Sequence, residues 1–445
     1  MTAAVAVALA AALAWAVLLL GRGWFWLSRD DDRDADRLPD PPAWPAVAAV
    51  VPARDEAETV GETVRSLLAQ DYPGPFRLVV VDDRSTDGTG EVARVAAGGD
   101  PRLTVVTGAA RPAGWTGKLW ALQQGLAEAL PSPAGRRVGR TASDVGSGGG
   151  EAVGGGGGPV AACDAAPTPR SRLRGVGWRG REQAARYLLL TDADIRHAPD
   201  SVRRLVRRAE AEGRVLVSLM ARLRCESAAE RWLIPAFVFF FQMLYPFRRS
   251  NRPGPARTAA AAGGCVLLDR AAFGAAGGLA PIRGAIIDDC ALARRMKARG
   301  PIWTGLTDRV ESLRPYGTAG AIRRMVARTA YAQLGYRAAA LAGMLAALAL
   351  VFIAPPLLAL FAAGPARAVG AAAWAAMALA YAPTLRRFGL SPLRGLALPA
   401  VAAAYMLFTL DSAFAEWRGR GGMWKGEAGP RADRATLPRQ DVARQ

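Results

Sequence analysis

Two carboxylates one residue apart, Asp192 and Asp194, close the apolar run Tyr187–Leu190. Hard oxygen donors this close together suit a divalent cation that also holds diphosphate oxygens, because magnesium and manganese take few protein carboxylates and complete their shells with phosphate and water. The same two acids could equally form a turn or cap a helix. Other acids recur in comparable places. Asp82 and Asp83 end the run Phe76–Val81, and can accept from a base ring N–H and a ribose hydroxyl or simply cap the next helix. Asp288 and Asp289 follow Ile286 and Ile287 and open a basic helix, where a carboxylate is a cap or a general base. Lys118, in Gly114-Trp115-Thr116-Gly117-Lys118, supplies a point charge for phosphate at a helix start that its glycines let a ligand approach.

Such side chains need strand tips and helix starts to hold them. The continuous, non-alternating apolar runs at 46–51, 76–81, 103–107, 187–190, 215–220 and 265–268 read as buried strands. Helices are expected over about 58–69, from 90, from the Lys118 segment, over 201–212 and over 321–333, with 303–310 as an edge strand. In an open α/β sheet a ligand sits beyond the carboxyl ends of the strands, where these acids fall. Residues 131–182 shift to Gly, Arg, Ser and Pro and lack the apolar surface to offset ordering, so they read as a disordered insertion within one domain.

A hydrophobic share of 51% and a mean hydropathy of +0.11 over 445 residues direct attention to membrane segments. Residues 3–20 are apolar and run into Trp24-Phe25-Trp26, an interfacial belt, which favours an anchor over a cleaved signal. Three further stretches, 339–363, 369–383 and 396–414, approach the length of a spanning helix, with Pro355-Pro356 allowing a re-entrant hairpin in the first. The aromatic stretch Trp232 to Phe247 is either a core helix or one lying at the membrane surface. The division expected is an anchor at 1–27, a linker at 28–45, a catalytic domain at 46–335, membrane helices at 336–417 and a basic tail at 418–445.

The net charge of +19 arises from scattered arginines without a nucleic-acid motif, so attraction to anionic lipid accounts for it and no nucleic-acid partner is expected. Four cysteines without paired spacing argue against a disulfide framework or a zinc site. A single histidine, His197, reads as a local hydrogen-bonding residue, and neither a Gly-x-Ser-x-Gly elbow nor a Walker phosphate loop is present. Few charges lie at membrane depth, which counts against a transporter.

The order Pro-Ala-Arg-x-Glu, Asp-Asp-x-Ser-x-Asp-Gly, Gly-Trp-x-Gly-Lys, Asp-Ala-Asp, Gly-Gly-Cys, Ile-Asp-Asp resembles inverting family-two glycosyltransferases of the GT-A fold. More narrowly, Asp192-Ala193-Asp194-Ile195-x-His197, Tyr245-Pro246-Phe247, Ala262 to Cys265 and Met325 to Tyr331 resemble the hopene-associated glycosyltransferases found with hopanoid biosynthesis. The resemblance implies an α/β, Rossmann-like, mostly parallel sheet with helices on both faces, and terminal membrane helices. It implies transfer of a sugar, with inversion, from a nucleotide-sugar, a UDP-sugar first, to a lipid acceptor at a cell membrane, with a cytoplasmic catalytic domain and Mg2+ or Mn2+. Pro52, Ala53, Arg54, Glu56, Asp82, Asp83 and Lys118 would hold the nucleotide-sugar. Asp194 and Asp192 would hold the metal and diphosphate, and Asp289, with Asp288 beside it, would be the base. Processive synthases of this superfamily carry Gln-x-x-Arg-Trp after the base; here the corresponding helix offers Ile322-Arg323-Arg324-Met325, or Arg328-Thr329, so polymer synthesis is not expected and Arg324 is the candidate for the retained arginine. Trp232, Phe239, Phe240 and Tyr245 are the expected acceptor contacts. Alternatives are a polyprenyl-phosphate or ceramide-type lipid glycosyltransferase and an inactive nucleotide-sugar-binding scaffold.

Overall fold

The computed structural model describes residues 2–130 and 184–419 and the two short strand pairs 423–424 and 427–428. The 131–182 insertion and nearly all of the expected basic tail lie outside the described residues. Eight strands form one sheet: β1 Val47–Ala53, β2 Phe76–Asp82, β3 Leu103–Thr107, β4 Tyr187–Thr191, β5 Ile195–His197, β6 Leu216–Arg222, β7 Cys265–Asp269 and β8 Ile302–Ser312, in the spatial order β3-β2-β1-β4-β7-β6-β8-β5. The half built from β1 to β4 is parallel, whereas β7 runs antiparallel to both β4 and β6. The sheet is therefore mixed.

Successive residues of β1 serve opposite layers, as a pleated strand covered on both faces requires. Val47, Ala49 and Val51 pack with Val60, Val64 and Leu67 of the Val60–Leu68 helix, while Ala48 and Val50 pack with Leu119, Leu122 and Leu126 of the Gly117–Ala129 helix. That second helix lies so close that a Cβ on Gly125 would stand 2.4 Å from Val50 Cγ1. The tight fit fixes where its first turn, with Lys118, points.

The apolar run ends at the acids as expected: the chain turns at Asp192–Asp194 and re-enters the sheet as the three-residue β5. His197 is on this strand and wholly buried, bonded to the Thr191 hydroxyl at 3.0 Å, and burial pushes its pKa down to about 3, which keeps it neutral. Two expectations need amending. The strand β8 is not an edge strand, because it lies between β6 and β5. The helix expected over 321–333 is two, Ala319–Ala327 and Ala330–Gln333.

Among the described residues four helices are long and apolar enough to cross a membrane: Ala3–Gly21, Ala338–Phe361, Gly364–Arg387 and Pro392–Trp417. The Pro355-Pro356 pair does not turn the chain back. A wide π-helical turn over Ala349–Ile353 precedes it, which absorbs the lost backbone donors within one continuous helix.

The aromatic stretch forms the Ala228–Leu244 helix, which packs against this apolar set: Leu233, Ile234 and Phe239 share a core with Trp15, Phe25, Tyr381 and Tyr405. Pro235 within it deprives the Arg231 carbonyl of its helical donor, and Arg394 Nη1 bonds that carbonyl instead at 3.2 Å while its guanidinium lies over Trp232. At the helix start Glu230 completes a capping box with Ser227, and its other oxygen accepts the Tyr316 N–H at 2.7 Å.

The stretch expected as a linker is a strap. Residues 30–32 add to β8 through the Asp32 N–H to the Leu306 carbonyl, and acids farther along pair with one helix, Ser201–Glu212: Asp34 with Arg208, Asp36 with Arg204, Asp40 with Arg207.

Candidate active site

At the carboxyl ends of β1 and β4, the point where the strand order changes direction, the acids converge in two groups. In the first, Lys118 Nζ stands 2.7 Å from Asp192 Oδ1 and 3.7 Å from Asp288 Oδ2. Thr116 caps the Lys118 helix, its hydroxyl accepting the Leu119 N–H, and the Thr116 N–H bonds the Arg283 carbonyl. Burial opposes the lysine's charge, but Asp192 above all, then Asp288 and Asp289, hold its pKa above the ordinary lysine value. Asp289 accepts two backbone donors, Gly263 N–H at 3.0 Å and Cys290 N–H at 2.7 Å, which fix the plane of its carboxylate. Gly263 leaves room there: a Cβ would lie 3.3 Å from Lys118 Nζ and 3.5 Å from Asp289. Burial first, and Asp288 second, raise the Asp289 pKa to about 6 against the pull of those N–H groups and Lys118. A carboxylate poised near neutrality is suited to taking a proton. Pro52, Thr191 and Leu292 line the same cavity.

The second group was not anticipated. Arg314 Nε bonds Asp194 Oδ2 at 2.8 Å, and its Nη2 bonds Glu56 Oε1. Burial, then the neighbouring Asp192, raise the Asp194 pKa, with Arg314 opposing both. Asp192 and Asp194 are thus two crowded carboxylates on one turn, a donor set that suits a divalent cation completing its shell with phosphate and water. Among the described residues no three His, Cys, Asp or Glu side chains gather as a fuller metal cage.

The expected nucleotide pocket is built where the loops after β1 and β2 are stitched together. The Asp55 N–H bonds the Ser85 hydroxyl, Asp55 Oδ1 accepts the Thr86 N–H, and the Glu56 N–H bonds the Thr89 hydroxyl. Asp55, at φ 49°, and Arg84, at φ 58°, make these turns in the left-handed region, which aspartate tolerates. Pro52 and Ala53 are the last residues of β1. Asp83 is wholly buried beside Arg54, whose Nη1 is 3.5 Å from its Oδ2. Asp82 accepts the Ser85 N–H and lies over Gly90, so here it caps the turn.

Arg324 is exposed on the Ala319–Ala327 helix, and the arginine that meets the acids is Arg314. Of the expected acceptor contacts, Phe239 is fully enclosed in the core shared with the apolar helices, Phe240 packs on Tyr405 and Phe352, and Trp232 is exposed under Arg394. Tyr245, at the end of that helix, is the one nearest the acids: burial, then Cys290 and Asp289, raise its phenol's pKa, with Arg294 and Gln333 opposing.

The profile of glycosyltransferase-like family 2 matches residues 45–330, from the start of the sheet through the Ala319–Ala327 helix. The chain belongs to this family. Its catalytic fold is accordingly GT-A-like, a mixed sheet between helical layers, and family 2 members transfer sugars from nucleotide-sugars. No curated protein matches the chain. Among solved structures, it is similar to a mannosyltransferase, PcManGT, from Pyrobaculum calidifontis in complex with GDP-Man and Mn2+, at 20% identity over 92% of this chain and 99% of that one, with a TM-score of 0.48. Glucosyl-3-phosphoglycerate synthase from Mycobacterium tuberculosis is similar at 18% identity over 65% and 80%, TM-score 0.34. Residues 1–349 of TarS from S. aureus, in complex with UDP-GlcNAc, are similar at 11% identity over 86% and 95%, TM-score 0.35.

Proposed function

We propose that this family 2 chain is a membrane-bound, inverting glycosyltransferase that moves a sugar from a nucleotide-sugar, a UDP-sugar first, to the hydroxyl of a lipid. The observation that carries the reading is the meeting of Asp192 and Asp288, delivered by different elements, on the one ammonium of Lys118, with Asp289 next to Asp288 and within its field. Asp289 takes the proton from the acceptor hydroxyl as its oxygen bonds the anomeric carbon and the bond to the nucleoside diphosphate breaks; a single displacement inverts that carbon. Lys118 offsets the charge gathering on the departing diphosphate. A divalent cation, held by Asp194 and Asp192, would add Lewis-acid stabilisation of the same charge. Pro52, Ala53, Arg54, Glu56 and Asp83 form the wall for the nucleoside.

Support for a lipid acceptor comes from the four apolar helices and from the Ala228–Leu244 helix, which joins them to Tyr245 beside Asp289. The catalytic domain would face the cytoplasm, and the hopanoid association rests on the sequence resemblance. A polyprenyl-phosphate or ceramide-type acceptor is separated from a hopanoid one by product analysis. The test is a panel of UDP- and GDP-sugars incubated with the purified chain and bacterial lipid extract, with mass spectrometry of the products. A glycosylated lipid of inverted anomeric configuration is expected; transfer only to water-soluble acceptors would overturn the lipid reading, and no transfer with any donor would favour a nucleotide-sugar-binding scaffold.

A further inference from the structure

Arg314 has no counterpart among the motifs of the sequence, yet its guanidinium pairs with both Asp194 and Glu56. Its backbone is pinned on both sides: the Leu313 N–H bonds the Asp194 carbonyl at 2.7 Å, and the Tyr316 N–H bonds Glu230. The guanidinium, about one-third exposed at 34%, is the part free to move. Lys118 occupies Asp192 in the same manner. Both carboxylates that would hold a divalent cation are therefore already neutralised by the chain's own charges.

We propose that Arg314 is a displaceable counter-ion: in the donor-free site it occupies Asp194 and Glu56 and keeps out a bare divalent cation, and it turns to the donor's diphosphate when cation and nucleotide enter together. The inference rests on the donor site proposed above. A cation arriving alone must take an Asp194 oxygen from a guanidinium that Glu56 holds in place, and the two positive charges repel across a partly buried site. A nucleoside diphosphate changes this balance because its paired oxygens match the guanidinium fork as well as a carboxylate does. Glu56 keeps the side chain within reach during the exchange. Linkage then requires that cation and nucleotide each tighten the other's binding by the same factor.

The test uses the full chain in detergent and reads Mn2+ binding by electron paramagnetic resonance, without nucleotide and with saturating UDP or GDP. Wild type is expected to bind Mn2+ at least about tenfold more tightly with the nucleotide than without. Arg314→Gln is expected to bind Mn2+ alone about tenfold more tightly than wild type and to lose most of the nucleotide's enhancement, since the competing charge is gone. Arg314→Lys keeps a positive charge and should leave Mn2+ binding alone at the wild-type level, which a purely structural role for the side chain would not produce. Equal affinity of wild type for Mn2+ with and without a bound nucleotide overturns the proposal whatever the variants do. So does an Arg314→Gln variant that melts as wild type and binds Mn2+ alone no more tightly. If neither nucleotide binds under any condition, the donor site itself is wrong, a result distinct from the other two.

Discussion

Asp289 sits in an environment that disfavours its ionised form, with burial and Asp288 outweighing two N–H groups and Lys118. Its raised pKa, about 6 against the ordinary 3.8, has two consequences of opposite sign. For catalysis, the base is lost as pH falls through that value, so kcat/KM should decline on the acid side with a midpoint near it. For stability, a carboxylate whose folded pKa is raised stabilises the fold fully below the unfolded value and loses that contribution as pH rises through the folded one. At neutral pH the ionised Asp289 therefore weakens the fold. Asp289→Asn should cut transfer by about 100- to 10,000-fold, keep nucleoside diphosphate affinity within a few fold, and raise the melting temperature at pH 7.5 while leaving it unchanged at pH 4. Kinetics, a binding titration and a thermal melt check the three parts; wild-type turnover would remove Asp289 from the mechanism. Acceptor recognition also divides at this scale. Phe239→Ser opens a cavity in a fully enclosed core and should destabilise by about 3–5 kcal/mol with donor and acceptor steps failing together. Tyr245→Phe removes a hydroxyl and leaves the ring's packing in place, so the melting temperature should change little while the KM for lipid acceptor rises, by steady-state assay.

Among the elements, the strap over residues 30–40 has the most consequential chemistry. Arg204 and Arg208 are 4% and 2% exposed, Arg208 lies 4.0 Å over the Trp303 ring, and their acidic partners arrive from a segment that otherwise has little apolar surface. Losing Asp34 and Asp36 would leave two enclosed guanidiniums short of counter-charge. The double variant Asp34→Asn, Asp36→Asn should lower stability by roughly 2–4 kcal/mol, with wild type losing part of the same difference in high salt. Chemical unfolding of the detergent-solubilised chain measures both, and an unchanged midpoint would mean the strap is decoration. The sequence suggested only a charged, Pro-rich linker here, because ion pairs with partners some 170 positions away leave no local pattern. By contrast the strands and the helix starts were legible, since apolar runs ending in acids and Thr or Ser caps are written within a few residues of one another.

At the scale of the whole molecule, the site residues carried by motifs, Lys118, Asp192, Asp194, Asp288 and Asp289, are brought together by the fold. What stayed hidden was contributed by the backbone or by unmarked residues: the Gly263 N–H on Asp289, the left-handed Asp55, and Arg314, one basic residue among 57 with no periodicity to single it out. Phe239 and Phe240 show the converse, because aromatic density signals burial without saying against what, and here the partners are the apolar helices. The composition of residues 131–182 leads to a separate expectation. Replacing about Arg136 to Gly180 with a short Gly/Ser linker should leave the melting temperature and donor turnover near wild type. Loss of folding in that variant would make the segment part of the domain.

Glu230 deserves a mechanical reading. One of its oxygens closes the start of the helix that leans on the apolar set, and the other holds the backbone of Tyr316, two residues from Arg314. The helix and Arg314 are therefore mounted on a common bracket, so a displacement of the helix can reach the Arg314 backbone through a single carboxylate. On the proposed lipid acceptor and counter-ion, arrival of the fatty substrate and unlatching of the sugar donor's anchorage would be timed by the same lever.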